Sequence, residues 1–276
     1  MDANNHFQKY LSSVGISDLK NVDAKDLVKI ALTFAIWPSI STHRESPWLA
    51  PFAIRRPRVR NEPNAPGPKR DLWGLPTELG YFSDDNSLIK GLPLKRSLSP
   101  VSNPYGNSKI TKGLVCCHIW PGTTNSPLLF SFVPNLVWLP KSLAKYSDAH
   151  LAGEPHAVHY ALRNASVSRY GTDHSNNRVA RAWALLEIEP SVELDHYEST
   201  EIADDGDVTL LVKQRITRLI NFLESTLADE ENPPNRFSRR YHAGTGPGID
   251  KSVFKVQEWL SNEICEQLID EMRACL

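Results

Sequence analysis

Apolar residues recur at helical spacing twice near the N-terminus, over residues 5–14 and 23–36. In the second stretch Leu27, Ile30, Ala31 and Phe34 fall on one face, Asp23 stands where an N-cap belongs, and Pro38 ends the run. From Trp37 to Lys112 the periodicity disappears into Pro, Gly, Ser and Asn, which predicts extended segments and ordered loops. Trp48, Phe52, Trp73, Tyr81, Phe82 and Tyr105 are too many aromatics for a disordered linker, so this region is expected to pack against the strands C-terminal to it. Residues 110–120 read as one strand and 130–134 as a second. A helix opened by Asn135 is expected to begin within a turn of Pro140 and to run through Leu143 and Tyr146 towards Asp148 or His150. Helices are then predicted over 156–169 and 177–187, and residues 193–207 form an acidic interruption. Two amphipathic helices close the chain, over 212–227 with Ile216, Leu219 and Leu223 on one face, and over 250–275 with Leu260, Ile264 and Leu268. No internal repeat is visible.

The pattern predicts an α+β protein in which a small strand-strand-helix unit is embedded in a mainly helical and loop-rich scaffold. Its segments are a helical lead-in (1–40), a basic, aromatic loop region (41–109), the ββα unit (110–150) and a helical C-terminal region (151–276).

With 276 residues, 41% of them hydrophobic, the chain has enough apolar surface for one large domain or two small ones. No run reaches the eighteen or so apolar residues of a membrane-spanning helix, and the first residues lack the basic and apolar regions of a secretory signal. A soluble, cytoplasmic protein with no membrane partner is expected. The four cysteines, at 116, 117, 265 and 275, make neither a disulfide framework nor a Cys-x-x-Cys zinc knuckle, so reduced thiols are expected.

Formal net charge is only -1, but the middle of the chain is basic and the C-terminal third acidic. Arg55, Arg56, Arg58 and Arg60 alternate with Pro57 and Val59, which in an extended strand places several guanidiniums on one face. That arrangement suits phosphate contact, the alternative being a solvated charge run. Arg236, Arg239 and Arg240 offer a second phosphate contact. The Gly244-Thr245-Gly246 beyond them has no preceding strand, which argues against a nucleotide-binding turn.

Candidate chemistry centres on Cys117-His118-Ile119-Trp120-Pro121, which ends the first apolar run, and on Asn135-Leu136-Val137-Trp138-Leu139 beyond a turn-rich loop. This arrangement resembles the ββα-metal finger of HNH (His-Me finger) nucleases, whose pattern runs Asp-His-Ile-x-Pro, a loop, then Asn-Leu-x-x-Leu and a helix. The resemblance covers residues 110–150. It implies a restriction-type endonuclease in which His118 is the general base and Asn135 holds the loop so that the base stays aimed. A single divalent cation, magnesium or manganese, would cover charge at the phosphate and the departing oxygen. The family draws its metal ligands from the residue before the base and from the helix, which here places Cys117 and Asp148 in those roles; only Asp148 is a hard oxygen donor. Two positions depart from the pattern. Cys117 replaces the Asp, and Ala144 and Lys145 stand where a helix His is usual, so completion of the shell would fall to His150, Asp84, Asp85 or Glu154.

Each residue also has a plainer reading. His118 fits an interior histidine, Asn135 a helix N-cap, Asp148 a solvated helix end, Asp84-Asp85 a turn, and His150, His156 and His159 surface or helix-packing positions. The implied partner is double-stranded DNA, with Lys141, Lys145, Arg239 and Arg240 joining the arginines at 55, 56, 58 and 60 as contacts, and a homodimer would cut both strands. The rivals are a DNA-binding protein with a non-cleaving finger and a protein-interaction module. A thiol mechanism is disfavoured because Cys117 and His118, as strand neighbours, point to opposite faces, leaving only Cys116 beside the imidazole.

Overall fold

The structure is a computed structural model, and it describes residues 1–51, 53–55, 82–84, 87–94, 96–99, 103–106, 108–147, 154–171, 176–188, 199–203, 206–228 and 262–276. Helix α1 (Ala3–Ser13) is opened by Asp2, whose carboxylate accepts the amides of Asn4 and Asn5, and α2 (Ala24–Phe34) by Asp23 in the same way from Asp26. The chain leaves α2 in extended conformation. Ile36–Trp37 then forms a two-residue strand, β1, in the tail of what reads as helix. A Ser39 cap opens α3 (Ile40–Glu45), and two short strands, β2 (Ala53–Arg55) and β3 (Phe82–Asp84), pair in parallel apart from the main sheet. After α4 (Ser87–Gly91) come the two long strands, β4 (Leu114–His118) and β5 (Leu136–Pro140), antiparallel with His118 opposite Leu136 and Leu114 opposite Pro140.

The remaining elements are α5 (Lys141–Ala144), α6 (Glu154–Tyr170), α7 (Asn177–Ala184), strand β6 (Thr200–Glu201), α8 (Asp207–Leu227) and α9 (Asn262–Arg273). The sheet order is β4-β5-β1-β6, so the fold is α+β, with a mixed four-stranded sheet drawing strands from three distant parts of the sequence.

Two sequence expectations are corrected. Residues 130–134 are not the second strand: they form a turn running into a single 3-10 turn, Val133–Asn135. Asn135 does not open a helix either, for β5 begins directly after it. The cause is the position of Leu136–Pro140 in the middle of the sheet. All five residues are buried, Val137 and Trp138 favour extended backbone, and Pro134 and Pro140 bracket the segment. Among the described residues the helix expected after it is the four residues of α5 followed by a 3-10 turn, Lys145–Ser147, and its expected end at Asp148 or His150 lies outside them.

One core unites these parts. Phe7, Phe34, Trp37, Tyr105, Trp138, Phe132 and Trp183 are essentially buried within it, and two of their polar groups find backbone partners: Tyr105 donates to the Phe34 carbonyl at 2.8 Å and Trp138 Nε1 to that of Ile89 at 3.2 Å, whereas the Nε1 atoms of Trp37 and Trp183 are buried without one among the described residues. Gly113 lets α1 dock beside β4. Its φ is +92°, and a Cβ there would meet the Asp2 carboxylate at 2.3 Å and the Asn4 amide at 2.6 Å. Helix α6 packs on α2, and α8 on α9, where Arg273 pairs with Glu224 at 2.6 Å. Among the described residues no helix is long and apolar enough to cross a membrane.

Candidate active site

His118 is the last residue of β4 and Asn135 the last before β5, so hairpin pairing brings the two ends of a long loop together, and the Ile119 amide continues the ladder by donating to the Asn135 carbonyl at 3.1 Å. The loop has no strand of its own; Phe132 is bridged to Trp48 from outside it, and further bonds hold it from within. Gly122, at φ 72°, turns the chain after Pro121 into a 3-10 turn over Thr123–Asn125. The Asn135 side chain, fully buried, then cross-links it. Its Oδ1 accepts the Trp120 amide at 3.0 Å, and its Nδ2 donates to Thr123 Oγ1 and to the Leu129 carbonyl, both at 2.8 Å. Thr123 passes its own hydroxyl proton to the Trp120 carbonyl at 2.7 Å, closing a ring of bonds at the start of the loop. A carboxamide suits this position because it offers an acceptor and two donors at once.

The imidazole of His118, half-buried, is fixed by the same loop. Its Nε2 lies 2.8 Å from the Phe130 carbonyl oxygen, and its ring stacks on the Phe130 ring with centroids 5.6 Å apart and planes 19° from parallel. A carbonyl oxygen only accepts, so Nε2 carries the proton of the neutral ring and Nδ1 carries the lone pair. The base expected from sequence is therefore held as a single tautomer with its proton-accepting nitrogen defined.

Cys117 is placed differently. It is buried, its neighbour across the hairpin is Val137, and its thiol lies 3.8 Å from the Val115 carbonyl; as the residue before His118 on β4 it faces the opposite side of the strand. Cys116, half-buried, shares the His118 face. Asp148, His150 and Asp85 lie outside the described residues, while Asp84 and Glu154 are described as backbone only, at the end of β3 and the start of α6. His159 is an interior helix residue that donates from Nδ1 to the Ser147 carbonyl at 3.0 Å. Among the described residues no three His, Cys, Asp or Glu side chains come together as a metal site.

Of the expected DNA contacts, Lys141 and Lys145 are exposed, Lys145 resting over the Tyr146 ring at 4.9 Å. They lie just past the end of the hairpin remote from His118, since Pro140 pairs with Leu114, four residues or about 13 Å along β4. Arg55 ends β2, with its side chain undescribed, and Arg56, Arg58, Arg60, Arg236, Arg239 and Arg240 lie outside the described residues.

Sequence reasoning missed the Phe130 carbonyl, Thr123 and the polar residues of α6 that contact this loop. The first is backbone, which no side-chain pattern betrays. Thr123 gave a signal only as one hydroxyl residue in a turn-rich stretch. Comparison with protein-family models, with curated proteins and with solved structures finds no match for this chain.

Proposed function

We propose that this protein is an endonuclease acting on double-stranded DNA, dependent on magnesium or manganese, with His118 as general base and Asn135 as organiser of the loop that aims it. The observation that carries this reading is the placement of His118 at the end of a strand whose loop is locked by the buried Asn135, with the ring oriented by the Nε2 bond to the Phe130 carbonyl. In the proposed step Nδ1 takes a proton from water, the hydroxide oxygen attacks phosphorus, the bond to the 3′ oxygen breaks, and the departing oxygen takes a proton from solvent to leave a 3′ hydroxyl and a 5′ phosphate.

Cys117 does not fit the cation: a buried thiol facing away from His118 is a poor donor for a hard ion. The assignment of a ligand therefore rests on Asp148, and no step here is routed through the metal. Site-specific cleavage by a homodimer, with the basic segments around Arg55 and Arg239 on the phosphates, extends the same proposal.

A second reading, a DNA-binding protein whose finger does not cut, draws on the placement of Cys117 where the HNH pattern has Asp. Incubating a long, sequence-diverse duplex with the full chain and magnesium or manganese, beside His118→Ala and a chelator control, separates the two. Fragments lost in both controls support the nuclease. Salt-sensitive DNA binding without fragments supports the second reading.

A further inference from the structure

Helix α6 presents a polar stripe to the interior. His159, Arg163, Ser166 and Tyr170 are spaced i, i+4, i+7 and i+11, which places them along one side of the helix, and all four are buried. Each donates to a main-chain carbonyl, and the four carbonyls belong to separate segments: Ser147, Ile119, Pro134 and Pro38, respectively. The two central bonds bracket the candidate site. Ile119 comes directly after His118, and Pro134 directly before Asn135.

We infer that Arg163, assisted by Ser166, is a positioning residue for His118, holding the base in place from a rigid helix; the inference rests on the nuclease reading for its catalytic consequence only. Arg163 Nε donates to the Ile119 carbonyl at 3.3 Å, and the guanidinium lies 5.9 Å from the centre of the Trp120 ring and 5.8 Å from that of Tyr160. The two peptide groups flanking Ile119 are thus both held, the one after His118 by its N–H on the Asn135 carbonyl and the next by its C=O on Arg163. This fixes the direction in which the chain leaves His118. Ser166 reaches the Pro134 carbonyl at 2.5 Å and sets the other end of the loop against the same helix. The loop itself has turns and a single bridge but no strand or α-helix, whereas α6 is a helix of 17 residues, so rigidity flows from the helix to the loop. An interior arginine carries a desolvation penalty that an aliphatic residue would avoid, and here it supplies a fixed carbonyl beside the base.

The test uses the full chain with Arg163→Met, Arg163→Lys and Ser166→Ala, each checked for cooperative melting. Two readouts are taken: the tautomer of His118 from ring nitrogen shifts of 15N-histidine-labelled protein, and the steady-state kinetics of duplex cleavage. In wild type His118 is expected as the Nε2–H tautomer alone. Arg163→Met should mix the two tautomers and lower kcat roughly ten- to hundredfold with KM changed less than about twofold, Arg163→Lys should fall between, and Ser166→Ala should move both readouts the same way by less. Should Arg163→Met fail to fold, Arg163→Lys and Ser166→Ala carry the same comparison. Folded variants with an unchanged His118 tautomer overturn the inference, whether or not the protein cuts DNA. A changed tautomer in a protein that cuts no DNA upholds the positioning role and removes the nuclease reading instead.

Discussion

The Nε2 of His118 lies 2.8 Å from the carbonyl oxygen of Phe130, a residue whose own amide is turned back onto the Ser126 carbonyl at 2.8 Å. Main chain, not a second side chain, sets the tautomer. Replacing His118 by Ala should therefore leave the loop closed, because Asn135 and not His118 cross-links it. The expected result is a loss of cleavage of roughly 10²–10⁴-fold, with stability changed by about 1 kcal/mol, the contribution of one half-exposed hydrogen bond. Cleavage rates beside urea denaturation check both halves. Retained cleavage removes His118 from the chemistry, and a large loss of stability would assign it to the core.

Asn135 is expected to behave in the opposite way, as a residue of structure first. Substitution by Ala leaves the buried Trp120 amide and Leu129 carbonyl without their partner, at about 1–3 kcal/mol for each such group, so a total loss of about 2–6 kcal/mol is expected. Asn135→Asp keeps the acceptor for Trp120 but loses both donors and buries a charge, and it should be at least as destabilising at neutral pH. Denaturant titration of the three proteins at one pH decides it. An Asn135→Ala protein as stable as wild type would mean that the loop closes without the side chain.

The parts of this fold that were legible in sequence carry their own local signals. Asp23 caps α2, and the apolar stripe Leu27, Ile30, Ala31 and Phe34 is its buried face. Where structure is set by distant partners, the sequence misleads. Residues 36–37 become a strand because Ile36 meets both Trp138 and Thr200, neither of which is near in sequence. Phe130, Phe132 and Val133 are apolar because the loop is buried, not because it is a strand, and the true strand Leu136–Pro140 shows no alternation because every residue in it is buried. His118 and Asn135 were legible as a pair through their motif context. The α6 stripe was not: His159 reads equally as a surface or a helix-packing residue, and nothing local marks Arg163 or Ser166 as interior until their carbonyl partners are seen.

Acid should weaken this protein through His43. Burial, with Arg44 adding repulsion, lowers its pKa to about 4 from 6.5, and its ring packs against Phe132 and Tyr170. Between these two values the unfolded chain binds a proton that the folded protein refuses, so stability rises with pH through that window and is lost as pH falls from about 6.5 towards 4. The shift corresponds to about 3 kcal/mol. His43→Leu should flatten the stability profile between pH 4 and 7 by an amount of that order. Urea unfolding of both proteins across the range measures it, and parallel profiles would show that His43 is not the acid-sensitive group.

Position 117 offers a direct test of whether the residue before the base faces a cation. Cys117 is buried opposite Val137, and its thiol lies against the Val115 carbonyl, an acceptor that a carboxylate would repel. Restoring the Asp of the HNH pattern should therefore destabilise the protein, since burial disfavours a charged carboxylate and raises its pKa. The penalty is full above the raised folded pKa and shrinks as pH falls towards the unfolded value of about 3.9. Cys117→Ser, which keeps the size and stays neutral, should cost far less. Melting curves of both variants at neutral and acid pH, with and without manganese, give the answer. If Cys117→Asp is instead stabilised by manganese and cuts DNA faster, the side chain at 117 faces the cation and β4 turns its catalytic face at Cys117 as well as at His118.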